Sequence, residues 1–207
     1  MSDAYIFFKE GKPGYAPILM LHGTGGSEED LVNIADFLSP NSPKLGIRGR
    51  LIENGRTRYF NHTEDGGFDL DSLDSETDWL LETIKETFAE HHLDPTQAIV
   101  VGYSNGANIA AYSWLNGKDT PFRTAILFHP MLLTDATITR SLDDIKVWDS
   151  YGANDQIVSP QSFFALNSSL KVAGAQVTSF QHQSAHKITD EELTSAKKWI
   201  NQINLNI

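Results

Sequence analysis

Apolar residues in this chain gather in short uninterrupted runs, and between those runs they recur every three or four positions. The runs are rich in β-branched and aromatic residues. They predict strands at 5–8, 16–21, 45–52, the start of 97–116, 123–128, 146–151 and 176–180. The spaced pattern predicts helices. One begins at Ser27, read as an N-cap ahead of Glu28, Glu29 and Asp30, and turns Leu31, Ile34, Ala35 and Leu38 to one face before Pro40 and Pro43 stop it. A second spans 71–90, with Leu73, Leu80, Leu81, Ile84 and Phe88 along one stripe. A third completes 97–116 and is capped by Asn116-Gly117. Two more span 160–171 and 189–203, the last presenting Leu193, Ala196, Ile200 and Ile203 with Trp199 beside them.

Strands alternate with helices from end to end. The expected fold is therefore α/β: a mostly parallel sheet of about seven strands with helices on both faces, one domain over 1–207. The connection 130–145 is too short for a separate lid domain, so a site at the sheet's rim should be open. Segment 53–69 is polar, rich in glycine and aromatics, and long for a connection, which suggests a functional loop.

The stretch 97–116 has the order of a nucleophile elbow. An apolar run is followed by Gly102-Tyr103-Ser104-Asn105-Gly106 and then by a helical segment rich in small residues. Such a turn is strained and closely packed, which calls for glycine on both sides of the serine. The five-residue pattern also occurs by chance in ordinary strand-helix turns, so the rest of the chain must supply partners for Ser104.

Serine is a weak nucleophile without a base, and the base needs a carboxylate to fix its tautomer. In a parallel sheet these groups collect at the carboxyl ends of strands. Asp155 follows the 146–151 strand. Asp149 lies within that strand, where a solvated or paired side chain is the simpler reading, and Asp143 and Asp144 precede it. His186 lies between the last strand and the last helix. His182 is second choice, because it sits where the strand could simply continue. His91 and His92 end a helix, His62 lies in the long loop and reads as exposed, and His129 ends the strand beside the elbow and could line the pocket. Ser104, Asp155 and His186 are thus the expected catalytic residues, in the chain order of an α/β-hydrolase triad. His22-Gly23-Thr24-Gly25-Gly26 follows the second strand, so the backbone N–H groups of Thr24 and Asn105 are the expected oxyanion donors. His22 is read as a buttress of this loop.

Composition narrows the partners. Among 207 residues, 27 acids against 16 bases give a net charge of −11, which disfavours nucleic acid and anionic membranes. With no cysteine, disulfides and a cysteine nucleophile are excluded. Neither a His-Glu-x-x-His helix nor a phosphate-binding glycine motif is present, so no metal and no cofactor are expected. No apolar run approaches a membrane span, and Met1-Ser2-Asp3-Ala4-Tyr5 lacks the pattern of a secretion signal, so cytoplasmic residence is expected. A homodimer is left open.

Several blocks together carry a resemblance: Leu21-His22-Gly23-Thr24-Gly25-Gly26, Asp30-Leu31, Arg48-Gly49, Glu53-Asn54-Gly55, Arg58-Tyr59-Phe60, the run from Gly102 to Ala110, His129-Pro130-Met131 and Asp155. Over nearly its whole length the chain resembles the lidless carboxylesterase/phospholipase group of α/β-hydrolases, related to acyl-protein thioesterases, and within it the bacterial MhqD-type hydrolases. One departure stands out: Ser184-Ala185 precede His186 where that group usually has two glycines, which bears on the loop's path and the pocket's width. The resemblance implies hydrolysis of a small-molecule carboxylic ester through an acyl-enzyme, without cofactor. Thioesterase or lysophospholipase activity is the nearest alternative. A non-catalytic ligand-binding relative is the alternative from another class. The residues expected to border the substrate are His22, Gly23, Arg48, Arg58, Tyr59, Phe60, His129 and Met131. The cluster Arg48, Arg50, Arg56 and Arg58 reads either as a carboxylate-binding fork or as ion pairs to Asp65, Asp69 or Glu53.

Overall fold

The structure is a computed structural model that describes residues 4–135 and 138–203. The first three residues of the N-terminal segment considered above, and residues 136–137 of the 130–145 connection, lie outside the described residues. Seven strands form the main sheet: β1 (Ile6–Lys9), β2 (Ile18–Leu21), β3 (Lys44–Ile47), β6 (Ile99–Tyr103), β7 (Thr124–Phe128), β8 (Lys146–Gly152) and β9 (Gln176–His182). Between β3 and β6 in the chain, β4 (Leu51–Glu53) and β5 (Arg56–Arg58) make a separate antiparallel ribbon. The sheet order is β1-β3-β2-β6-β7-β8-β9, and only the edge strand β1 runs antiparallel to its neighbour.

Strands covered on both faces should be apolar throughout. β2 and β7 are buried at every position, as is β6 up to Val101 and Gly102. Successive side chains then serve opposite layers. Leu19, Leu21 and Val100 pack with Leu73, Leu80, Ile84 and Phe88 of α2 (Leu70–Glu90) and with α3 (Asn105–Leu115) and α4 (Pro160–Val172). Ile18, Met20, Ile99 and Val101 pack on the other side with Ala35 and Leu38 of α1 (Val32–Leu38) and with Ala196, Trp199 and Ile200 of α5 (Asp190–Gln202). The α/β expectation and the count of seven sheet strands therefore hold. The described part of 130–145 carries no helix or strand.

Two local expectations are corrected. The run 45–52 is not one strand: the chain leaves the sheet at Arg48, and Leu51 begins the ribbon. A side chain at Gly49 would overlap the backbone of Arg58, and the Gly49 N–H is held by His22. Ser27 does not cap an α-helix. Residues 27–31 make successive turns, with Asp30 N–H to Ser27 O and Val32 N–H to Glu29 O, and α1 starts only at Val32. The Glu28 carbonyl lies where a Cβ on Gly46 would be, and the Arg48–Glu28 ion pair clamps the turn against β3.

Candidate active site

β6 ends at Tyr103 and α3 begins at Asn105, so Ser104 alone turns the chain, at φ 50° and ψ −111°. Such a backbone costs about 1–3 kcal/mol for a non-glycine residue. The turn is pinned by Ser104 N–H to Phe128 O at 2.9 Å and Asn108 N–H to Ser104 O at 2.8 Å. Its glycines have steric reasons. A Cβ on Gly102 would strike the Ala107 backbone, and one on Gly106 would overlap the Leu21 and His22 carbonyls.

Three strand ends converge on the Ser104 hydroxyl. His186 Nε2 lies 2.9 Å from Ser104 Oγ, and His186 Nδ1 lies 2.7 Å from Asp155 Oδ2. The second Asp155 oxygen accepts the N–H groups of Ile157 (2.8 Å) and Val158 (2.9 Å), which fixes the carboxylate plane. The imidazole stacks on Tyr103, whose hydroxyl donates to the His186 carbonyl at 3.0 Å. Burial pushes the His186 pKa below its usual 6.5 despite the opposing pull of Asp155, so the ring is neutral at pH 7. Asp155 is itself buried, which favours its protonated form, but its four hydrogen bonds outweigh this and hold the carboxyl below the usual range. The loop before His186 runs with the Ser184 and Ala185 carbonyls against Gly152, and Asn154 N–H donates to the Ser184 carbonyl at 3.3 Å. Neither Ser184 nor Ala185 lines the cleft.

A cleft of about 430 Å³ opens beside Ser104 and His186. It is walled by Thr24, Arg56, Arg58, Phe60, His62, Phe68, Tyr103, Asn105, Asn108, Met131 and Ile157. The Asn105 N–H begins α3 and so has no acceptor within the helix. The Asn105 side chain is occupied elsewhere, accepting the Tyr59 N–H at 2.8 Å.

Of the residues expected to border the substrate, Arg58, Phe60 and Met131 line the cleft, and His22, Gly23, Arg48, Tyr59 and His129 do not. His22 is buried. Its Nε2 accepts the Gly49 N–H at 3.0 Å, so the proton sits on Nδ1 and is donated to the Gly23 carbonyl at 2.6 Å. Burial lowers its pKa, and it works as a neutral strut between two loops. Gly23 packs against the Tyr103 ring, where a Cβ would collide. Tyr59 is fully buried and donates to Ile47 O at 2.6 Å. Arg48 faces a different depression, with Tyr5, Arg50 and Trp79. His129 is fully buried behind Asp155.

The arginine cluster resolves into pairs that differ in part from the expected ones. Arg48 pairs with Glu28, Arg50 with Glu76 and Arg58 with Glu53. His62 is not a free surface group. It donates its N–H to Glu53 at 2.7 Å, sets its ring 2.9 Å from the same carboxylate and lines the cleft. These bonds from His62, with Arg58 adding to them, pull the Glu53 pKa down to about 2. Arg56 alone of the four has no carboxylate partner among the described residues, and it lines the cleft. Glu192 has the sequence position of an ordinary first-turn acid of α5, yet it is fully buried against His129 and His182.

His129, His182 and Glu192 lie within 4.8 Å of one another, as do His129, Asp155 and His186. His182 Nδ1 accepts the Ser184 N–H at 3.1 Å, which leaves its proton on Nε2, the nitrogen facing Glu192. A metal at that nitrogen would have to displace the proton.

The elbow, the histidine after β9 and the acid after β8, on a mostly parallel sheet with helices on both faces, are the features of an α/β-hydrolase. The chain matches the phospholipase/carboxylesterase family over residues 7–204, and it belongs to that family. It is 34% identical to MhqD of Bacillus subtilis (strain 168) over 182 residues, covering 88% of this chain and 90% of that one. Its fold superposes on the Bacillus cereus carboxylesterase with a TM-score of 0.92 at 34% identity, over 97% and 95% of the two chains. It superposes on YahD, solved with malic acid, with a TM-score of 0.91 at 42% identity, over 96% and 98%. Among the described residues no helix is long and apolar enough to cross a membrane.

Proposed function

We propose that this hydrolase is a serine carboxylesterase acting on small carboxylic esters through an acyl-enzyme. The observation that carries the reading is the unbroken contact from Ser104 Oγ to His186 Nε2 at 2.9 Å and from His186 Nδ1 to Asp155 Oδ2 at 2.7 Å, beside an open cleft. His186, neutral at pH 7, takes the Ser104 proton as the oxygen attacks the acyl carbonyl. Asp155 keeps the Nδ1 proton in place and stabilises the imidazolium that forms. The tetrahedral oxyanion is held by the N–H groups of Thr24 and Asn105, each typically worth about 10²–10³ in kcat. Collapse breaks the ester C–O bond, and His186 passes its proton to the leaving alcohol. A water then loses a proton to His186, attacks the acyl carbon and releases the acid, and the proton returns to Ser104.

The Bacillus cereus relative is a carboxylesterase, which favours esters over thioesters or lysolipids as the first substrates to try. Arg56, which lines the cleft and has no carboxylate partner among the described residues, favours an acyl group that itself bears a carboxylate, and the malic acid found with YahD is of that chemical kind. Turnover of p-nitrophenyl butyrate by the protein, and its loss in a folded Ser104→Ala variant, is the expected result. Equal turnover by the variant would refute the assignment.

A further inference from the structure

Behind Asp155 the hydrogen-bonded chain continues into the protein. Asp155 Oδ2 is shared: His186 Nδ1 lies 2.7 Å away and His129 Nδ1 2.8 Å away. The other nitrogen of His129 faces Glu192 Oε1 at 3.1 Å. Both nitrogens of one fully buried ring thus address carboxylates that are themselves fully buried. A neutral imidazole can donate only once, so it would leave one carboxylate facing a lone pair. The charged ring pairs with both, by a hydrogen bond to Asp155 and by charge alone to Glu192, and among the described residues it is the one cation in contact with either acid; His182 Nε2 lies 3.3 Å from Glu192 without a hydrogen bond, and its Nδ1 accepts the Ser184 N–H. Two adjacent buried carboxylates without a cation would be strongly unfavourable.

The backbone is arranged to put the ring there. His129 follows β7 directly, at φ 52°, a left-handed conformation uncommon in a residue with a side chain, and its N–H is held by Ser150 O at 3.1 Å. Glu192 is anchored in turn by the Thr189 N–H (2.7 Å) and hydroxyl (3.0 Å) in the capping box of α5. The titratable groups around the His129 ring are Asp155, Glu192, His182, His186 (ring centres 5.0 Å apart) and Tyr103 (6.0 Å).

We propose that His129 is a positioning residue, held as an imidazolium between Asp155 and Glu192, whose charge on the shared Asp155 oxygen sets the acid limit of the reaction. The proposal rests on the serine esterase reading above. The physical reason is competition. An oxygen that already holds one cation attracts a second less, so Asp155 stabilises protonated His186 less than it would alone. His186 then stays the free base, the form that accepts the Ser104 proton, in mildly acidic solution. The same pair of carboxylates raises the His129 pKa, although burial alone would lower it.

The test is His129→Gln, which keeps an N–H donor for Asp155 and removes the charge. The pH profile of kcat/KM on p-nitrophenyl butyrate should keep its plateau at pH 8 within about threefold. Its acid limb should move upward, so that at pH 5.5 the fraction of plateau activity retained falls a further ~3–10-fold, the effect of about half to one pH unit on His186. KM should hardly move, because His129 does not reach the cleft. If the single variant fails to fold, the same limb is read in His129→Gln/Glu192→Gln, which removes the buried charge pair together; the displacement is still upward but smaller, because the Glu192 charge opposes that of His129 at His186. Independently of activity, nitrogen NMR of the imidazoles should show both His129 nitrogens protonated at pH 7.5. An unmoved acid limb in a folded, active variant, or a singly protonated His129, would overturn the proposal. A wild-type protein without ester turnover at any pH would instead count against the esterase reading, and the NMR result would still decide the charge on His129.

Discussion

Asp149 offers a quantitative test, because it was the rival acid on the strand that leads to Asp155. It lies in β8 with its side chain fully buried. One oxygen accepts from Asn167 Nδ2 at 2.8 Å, and the other has no partner. Burial pushes its pKa from 3.8 up to about 7, against the opposing pull of Ser179, Asn167 and Lys171. A raised carboxyl pKa means that the folded state holds a proton which the unfolded chain releases. The Asp149 contribution to stability should therefore fall as pH rises from about 4 to about 7 and stay level above that. The span from 3.8 to about 7, at about 1.36 kcal/mol per pH unit, corresponds to about 4 kcal/mol as an upper figure. Asp149→Asn keeps an acceptor for Asn167 and removes the penalty. Urea unfolding followed by tryptophan fluorescence at pH 4, 5.5 and 8 should show the variant gaining on wild type by up to about 4 kcal/mol across that range. Ester turnover at pH 8 should change less than threefold, because Asp149 contacts Asn167 rather than the Ser104–His186 pair. Parallel stability curves would refute the argument, and loss of turnover in a folded variant would return Asp149 to contention as the working acid.

Other expectations follow from the same contacts. Gly106→Ala would press a Cβ into the Leu21 and His22 carbonyls, which are backbone and cannot swing aside. Overpacking of this kind costs about 1–3 kcal/mol, so thermal denaturation should show Tm lower by roughly 5 °C, with turnover reduced at least tenfold as the elbow shifts. With the His186 pKa held below 6.5, kcat/KM should reach half its plateau below pH 6.5, and a midpoint above pH 7 would contradict the environment described. Arg56→Gln should reduce the ratio of kcat/KM for a p-nitrophenyl hemisuccinate to that for the butyrate by about tenfold, in keeping with the loss of one charge-assisted hydrogen bond. An unchanged ratio would remove Arg56 from substrate recognition.

Much of the fold was legible because its signals are local. The change from an apolar run to a glycine-flanked serine and then to spaced small residues is written in consecutive positions, and β6, Ser104 and α3 follow it residue by residue. Strands buried on both faces announced themselves by lack of alternation. What escaped was set by distant contacts. Nothing near Gly49 reveals that Arg58 will pass over it, so 45–52 read as one strand. Ser27 with the acids after it has the local form of a helix start, but Glu28 is drawn to Arg48 and the first turns tighten. Glu192 reads as a capping acid, and it is one. Its second oxygen meets His129, 63 positions earlier in the chain, and no periodicity encodes that. For the same reason His129, placed beside the elbow strand, was expected in the cleft and instead lies behind Asp155.

Ester turnover by this chemistry requires the Ser104 hydroxyl to be the group that takes the acyl chain. Incubation with a fluorophosphonate at pH 8, followed by intact-mass measurement and peptide mapping, reads this directly. One adduct per chain, on Ser104 and absent from Ser104→Ala, is the predicted result. A folded protein that takes up no label, or takes it up at another residue, would contradict it.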